Sequence, residues 1–73
     1  MTVLREAVIS VVTAENLVVV KTIADSAQAV SGAIEQLSIE KVLGILADKN
    51  TVLIISATSS DAERIAQKIN QLI

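Results

Sequence analysis

The residues best placed to do chemistry are four polar ones in a row, Asp48-Lys49-Asn50-Thr51, held between the largely apolar runs Val42–Ala47 and Val52–Ala57. Two β-branched runs around so short a polar segment predict a hairpin of buried strands, with its polar groups at the tip. These four residues hold much of the local charge, so any polar site here lies at the tip. Beyond the tip the inventory is thin. Glu35, Glu40 and Asp48 with a lysine would make a carboxylate–lysine acid–base pair, but these are ordinary solvated surface residues. The chain has no His and no Cys, which excludes a His-dependent triad, a thiol nucleophile and a Cys/His zinc site. Its two glycines, Gly32 and Gly44, stand too far apart for a phosphate-cradling loop. No enzyme activity, metal or cofactor is expected.

The elements that position these residues must fit in 73 residues, room for one domain (1–73) and one modest core. Ordering each residue costs roughly 1.5 kcal/mol, which apolar burial in so small a chain only about cancels. With no disulfide and no metal site to help, oligomerisation is the remaining source of stability. The composition agrees: 52% hydrophobic residues and a mean hydropathy of +0.64 exceed what one small core hides. The longest apolar runs, such as Leu17–Val20 and Val52–Ile55, are far short of the ~20 residues a spanning helix needs. Nor does the N-terminus have the charged and apolar regions of a signal peptide. No membrane partner and a cytoplasmic location are expected. The net charge is −2 and the six basic residues are scattered singly, with no aromatic residue at all. Direct nucleic-acid binding needs clustered positive charge, and on single strands also stacking platforms, so it is not expected of this chain.

Residues Val3–Val12 alternate loosely and predict a first strand, with Arg5, Ala7, Ile9 and Val11 on one face and Ile9 and Val11 expected to be buried with Val18 and Val20. Thr13–Asn16 predicts a turn and Leu17–Thr22 a second strand, with Val18 and Val20 toward the core and Leu17 and Val19 toward a partner. Asp25-Ser26-Ala27-Gln28 resembles a capping box, followed by the apolar stripe Ala27, Val30, Ile34, Leu37 of a first helix. Gly32 within it either admits a close neighbour or is simply tolerated. After the hairpin, Ser60-Asp61-Ala62-Glu63 reads as a second capping box. Ile65, Ala66, Ile69, Leu72 and Ile73 then form the stripe of a helix running to the last residue. No linker, internal repeat or low-complexity segment interrupts the chain. The predicted fold class is α+β: a two-layer β-β-α-β-β-α unit whose four-stranded, mainly antiparallel sheet carries both helices on one face. Its other face has no cover from this chain.

These pieces resemble the C-terminal domain of bacterial arginine repressors. The likeness runs from Leu4-Arg5-Glu6-Ala7 through Leu17–Thr22, Ala27-Gln28-Ala29-Val30 and Gly44–Thr51 to the terminal helix. It implies a trimer, or a hexamer of two facing trimers, with L-arginine as effector between them. DNA would be bound only by a separate N-terminal winged helix-turn-helix, to which nothing in this chain corresponds. Carried over residue by residue, the implied effector site comprises Gln28, Glu35 (where the family tends to place Asp), Asp48, Lys49 and Asn50. Lys49 and Asn50 stand where the family has two aspartates that hold the positive groups of arginine, and Asp48 replaces the family's turn glycine. The Pro-Gly that commonly precedes the family's helix is Ala24-Asp25. Losing two hydrogen bonds to charged groups costs about 3–6 kcal/mol, a drop of roughly 10²–10⁴ in affinity, and Lys49 adds repulsion toward a guanidinium.

Three readings of Asp48–Thr51 therefore stand side by side. It is a solvated turn without ligand, an arginine site in the family manner, or a changed site in which another ligand or the Lys49 ammonium itself takes the effector's place. For the whole chain two functions remain. One is the oligomerisation and effector-binding domain of an arginine-repressor-like transcriptional regulator with a weakened site. The other is a ligand-free structural self-assembly module, natural or engineered.

Overall fold

The computed structural model describes residues 2–73. In chain order the elements are α1 (Thr2–Ala7), β1 (Val8–Ala14), β2 (Leu17–Thr22), α2 (Ala27–Gln36), β3 (Val42–Asp48), β4 (Thr51–Ser56) and α3 (Ser59–Gln71). The strands form one antiparallel sheet in the order β1-β2-β4-β3. The α+β class and the two hairpins, each followed by a helix, are as expected.

The N-terminal segment is not. Leu4 and Ala7, three residues apart, are both buried, and that spacing puts them on one side of a helix. Thr2–Ala7 therefore coils into α1, which packs on α2, and the amide of Ile23 donates to the Ala7 carbonyl at 2.9 Å. Ile9, expected on the buried face, is 66% exposed. Val8 pairs with Thr22 and Ser10 with Lys21, so Ile9 is the extra residue of a bulge. The bulge resets the register and brings Val11 opposite Val20 on the core side.

One sheet face is the floor of the core. Val18 and Val20 of β2, with Val52 and Ile54 of β4, are fully buried under Ala27, Val30 and Ile34 of α2 and Ala62, Ile65 and Ile69 of α3. On the other face Leu17, Val19, Leu53 and Ile55 are half-buried, while Val12 and Leu46 are largely exposed. Among the described residues nothing covers them, as predicted.

Both helix starts differ from the sequence reading. Asp25 adopts a left-handed backbone (φ 61°) and Ser26 is the N-cap of α2, without a side-chain capping bond. Its hydroxyl donates instead to the Ala24 carbonyl. The α3 cap falls two residues earlier than the Ser60 box: Thr58 Oγ1 accepts from the Asp61 amide at 3.0 Å. That helix stops at Gln71, and Ile73 is 41% exposed rather than part of the buried stripe. A Cβ at Gly32 would meet nothing within 4 Å, so no close neighbour explains that glycine and simple tolerance does.

The backbone also repeats where the sequence shows no repeat. Bulges at Ile9 and Leu43 and turns at Glu15-Asn16 and Lys49-Asn50 are 34 positions apart, and Val19 pairs with its own counterpart Leu53. The two ββα halves are thus related by an approximate dyad through the β2–β4 pair. The helices cross over: α2 packs mainly on β3 and β4, and α3 on β1 and β2.

Candidate functional site

The Asp48–Thr51 segment forms a tighter turn than its four polar residues suggest. Asp48 and Thr51 are the last ladder pair of the hairpin, which leaves Lys49-Asn50 as a two-residue turn. Lys49 takes φ 50°, the positive value that two-residue hairpins favour at their first turn position.

The crossover of α2 brings its N-terminus against this turn. The Ala27 amide donates to the Lys49 carbonyl at 3.0 Å, and the Thr22 amide to the Asn50 carbonyl at 2.8 Å. Gln28 Nε2 donates to the Ala47 carbonyl at 3.1 Å. Gln28, Asp48, Lys49 and Asn50 thus lie together, all exposed, where α2 begins and the hairpin ends. Glu35 is elsewhere. It lies seven residues on, about 10 Å along the helix axis, and lines a cleft with Ile34, Ile39 and Val42 at the opposite end of β3.

Thr51 of the predicted tip, and Lys21, which the sequence did not single out, complete the polar end. Lys21 Nζ donates to Thr51 Oγ1 at 3.0 Å, and Thr51 Oγ1 to Asn50 Oδ1 at 3.2 Å. The signal for them is register: Lys21 pairs with Thr51 across β2 and β4, a pairing visible only once the two hairpins are joined. The open sheet face therefore has a polar end, with Lys21, Thr51 and Asp48, and an apolar end formed by Leu17 and Ile55.

Electrostatically the tip carries one acid, Asp48, against Lys49 and Lys21. Its hydrogen-bonding capacity is a mixture: the Asp48 carboxylate accepts, the Lys49 ammonium donates, and the Asn50 and Gln28 amides do both. Such a set can hold a small zwitterionic or mixed-charge ligand. It contains no catalytic pairing, and among the described residues no group of three or more His, Cys, Asp or Glu is placed to bind a metal.

The fold is a small α+β domain with one bare apolar sheet face and a polar hairpin tip set against a helix start. Its sequence carries that class to a particular family. The model of the arginine repressor C-terminal domain matches residues 4–71. The arginine repressor of Clostridium acetobutylicum is 38% identical over 72 residues, 99% of this chain and 48% of the relative. That of Ruminiclostridium cellulolyticum is 39% identical over 72 residues, with the same two coverages. That of Bacillus pumilus is 34% identical over 70 residues, 96% of this chain and 47% of the relative. The chain belongs to the arginine repressor C-terminal domain family, and it spans about half the length of the curated relatives it matches. It is a regulator domain by family. Among the described residues no helix is long and apolar enough to cross a membrane.

Proposed function

We propose that the chain is the oligomerisation and effector-binding domain of an arginine-repressor-like transcriptional regulator, with an effector site altered so that L-arginine binds weakly. The observation that carries this reading is the junction of α2 with the β3–β4 turn. Gln28, Asp48, Lys49 and Asn50 meet there, and two of the four, Lys49 and Asn50, replace the carboxylates that a guanidinium needs. Assembly is a homo-oligomer, trimer or hexamer, built through the bare face. Contact with DNA belongs to a separate N-terminal domain. The test is calorimetry with L-arginine and related amino acids while oligomer size is followed by light scattering. The expected result is an assembled species and arginine binding at least about a hundredfold weaker than in relatives with the aspartate pair. A stable species of 7.7 kDa, or micromolar arginine binding, overturns it.

A second reading, a ligand-free self-assembly module, is favoured by the extent of the uncovered apolar face, where Val12 and Leu46 remain 56% and 61% exposed. It predicts the same assembly with no heat from any amino acid.

A further inference from the structure

A second concave site lies at the other end of the molecule from the hairpin tip. The connection from α2 to β3 stands off from α3 and leaves an open cleft of about 230 Å³. Its floor is apolar, made by Leu37, Ile39 and Ile65. Its rim carries Arg64 and Lys68, one helical turn apart on α3, with Glu40 also lining the cleft. The hairpin tip is about 20 Å away along β3, six residues at the rise of a strand.

Two observations set this cleft apart from an incidental groove. Two cations, Arg64 and Lys68, line the cleft against one acid, Glu40, in a chain of net charge −2. Besides Arg64 and Lys68, Lys41 stands close enough to help hold the Asp61 carboxyl below the usual carboxylate range, after the hydrogen bonds from Arg64 and Thr58. Three of the six basic residues therefore lie at or near this corner, together with the acids Glu40 and Asp61. Arg64 is also held in place, since its guanidinium donates to Asp61. That bond occupies one edge of the fork, and the remaining donors stay available.

We infer that this cleft binds a small branched aliphatic carboxylate, its anionic end on Arg64 and Lys68 and its hydrocarbon on Leu37, Ile39 and Ile65. The size fits: the cleft lies below the roughly 300–1,000 Å³ of drug-sized sites and suits a ligand of about seven heavy atoms. Neither half of the site suffices alone. The charges are exposed and weakly binding without an apolar anchor, and the floor is too small to hold a neutral hydrocarbon in competition with water. The site is independent of the effector reading, since it shares no residue with the tip.

The test uses the whole 73-residue chain and follows backbone amide NMR shifts while sodium isovalerate is added. Sodium acetate supplies the anion without the hydrocarbon, and isoamyl alcohol the hydrocarbon without the charge. Isovalerate is expected to shift Ile39, Ile65 and Lys68 saturably with a Kd on the order of 1 mM, and each comparator to bind about tenfold more weakly or worse. Lys68→Met keeps the side-chain stem and is expected to weaken isovalerate about tenfold, while Lys49→Met leaves it unchanged. Non-saturating shifts, equal binding of acetate or of the alcohol, an unaffected Lys68→Met variant, or shifts centred on Gln28 and Lys49 each overturn the inference.

Discussion

The two hairpin tips occupy equivalent places in a repeated backbone and have been finished differently. Each turn begins with a left-handed residue, Glu15 at φ 55° and Lys49 at φ 50°, and each ends in Asn. Each Asn carbonyl accepts an amide from the end of the other half's inner strand: Asn16 from Ser56 at 2.9 Å, Asn50 from Thr22 at 2.8 Å. There the likeness stops. The Asn16 side chain donates to the Ser56 carbonyl at 2.9 Å, and Ser56 Oγ returns a bond to the Asn16 carbonyl at 2.8 Å. The adjoining helix is capped by Thr58. The Asn50 side chain only accepts from its neighbour Thr51, and the adjoining Ser26 caps nothing with its side chain. One tip spends its side-chain polar groups on the fold and the other leaves Asp48, Lys49 and Asn50 exposed. A shared frame with unequal tips separates what the backbone requires from what a ligand would use.

The sharpest way to break that contrast is to exchange charges at the tips. Lys49→Asp with Asn50→Asp is expected to raise arginine affinity by roughly 10²–10⁴, measured by calorimetry. Glu15→Asp with Asn16→Asp at the first tip is expected to give no arginine binding, because its surroundings are already closed. Binding at both, or at neither, would show that position in the fold does not select the site.

The halves should agree where their role is only packing. Val20 and Ile54 are counterparts and both fully buried. Ile54→Ala is expected to lose about 2–5 kcal/mol in urea unfolding. Leu43→Ser, on a residue 68% exposed, is expected to change the midpoint by less than about 0.5 kcal/mol.

At the helix starts the expected difference is smaller and again unequal. Thr58→Ala removes a working cap and is expected to cost about 1 kcal/mol, whereas Ser26→Ala is expected to cost no more than a few tenths. Equal losses would mean that Ser26 caps α2 in solution. The smallest effect concerns pH. Asp61 is held low first by its hydrogen bond from Arg64 and then by that from Thr58. Its contribution is therefore complete above about pH 3.9, the unfolded value, and is lost as pH falls through the lower folded one. Urea midpoints of the native chain are expected to fall slightly more on acidification than those of Asp61→Asn. α2 has no acid in its first turn and contributes no matching term.

Much of this was legible from residue types and spacing. Val18, Val20, Val52 and Ile54 alternate as buried strands must, and the Ala27–Leu37 stripe has helical period, so the sheet and α2 follow directly. The start of the chain misleads because Leu4 and Ala7 satisfy a helix while Ala7, Ile9 and Val11 satisfy a strand, and only tertiary burial decides between them. Bulges leave no mark in composition, so the displacement of Ile9 was invisible. At the tip, residue types announced a polar turn. The gathering of Gln28 with it depends on α2 crossing to the second hairpin, and the role of Lys21 on a strand pairing between distant segments. Both are properties of topology that no local window contains.

The paired bulges have one more effect. β1 and β3 are the two outer strands of the sheet, and each would otherwise present an unbroken row of unsatisfied amides and carbonyls to a like strand of another molecule. Ile9 and Leu43 interrupt both rows at matching places. Edge-to-edge addition has no natural stopping point, because every added sheet brings a fresh edge, and it ends in fibres. Contact through the sheet's broad side consumes the surface that makes it and closes on a fixed number of copies. The two bulged residues spoil the first route, while the broad face with Val12 and Leu46 stays bare.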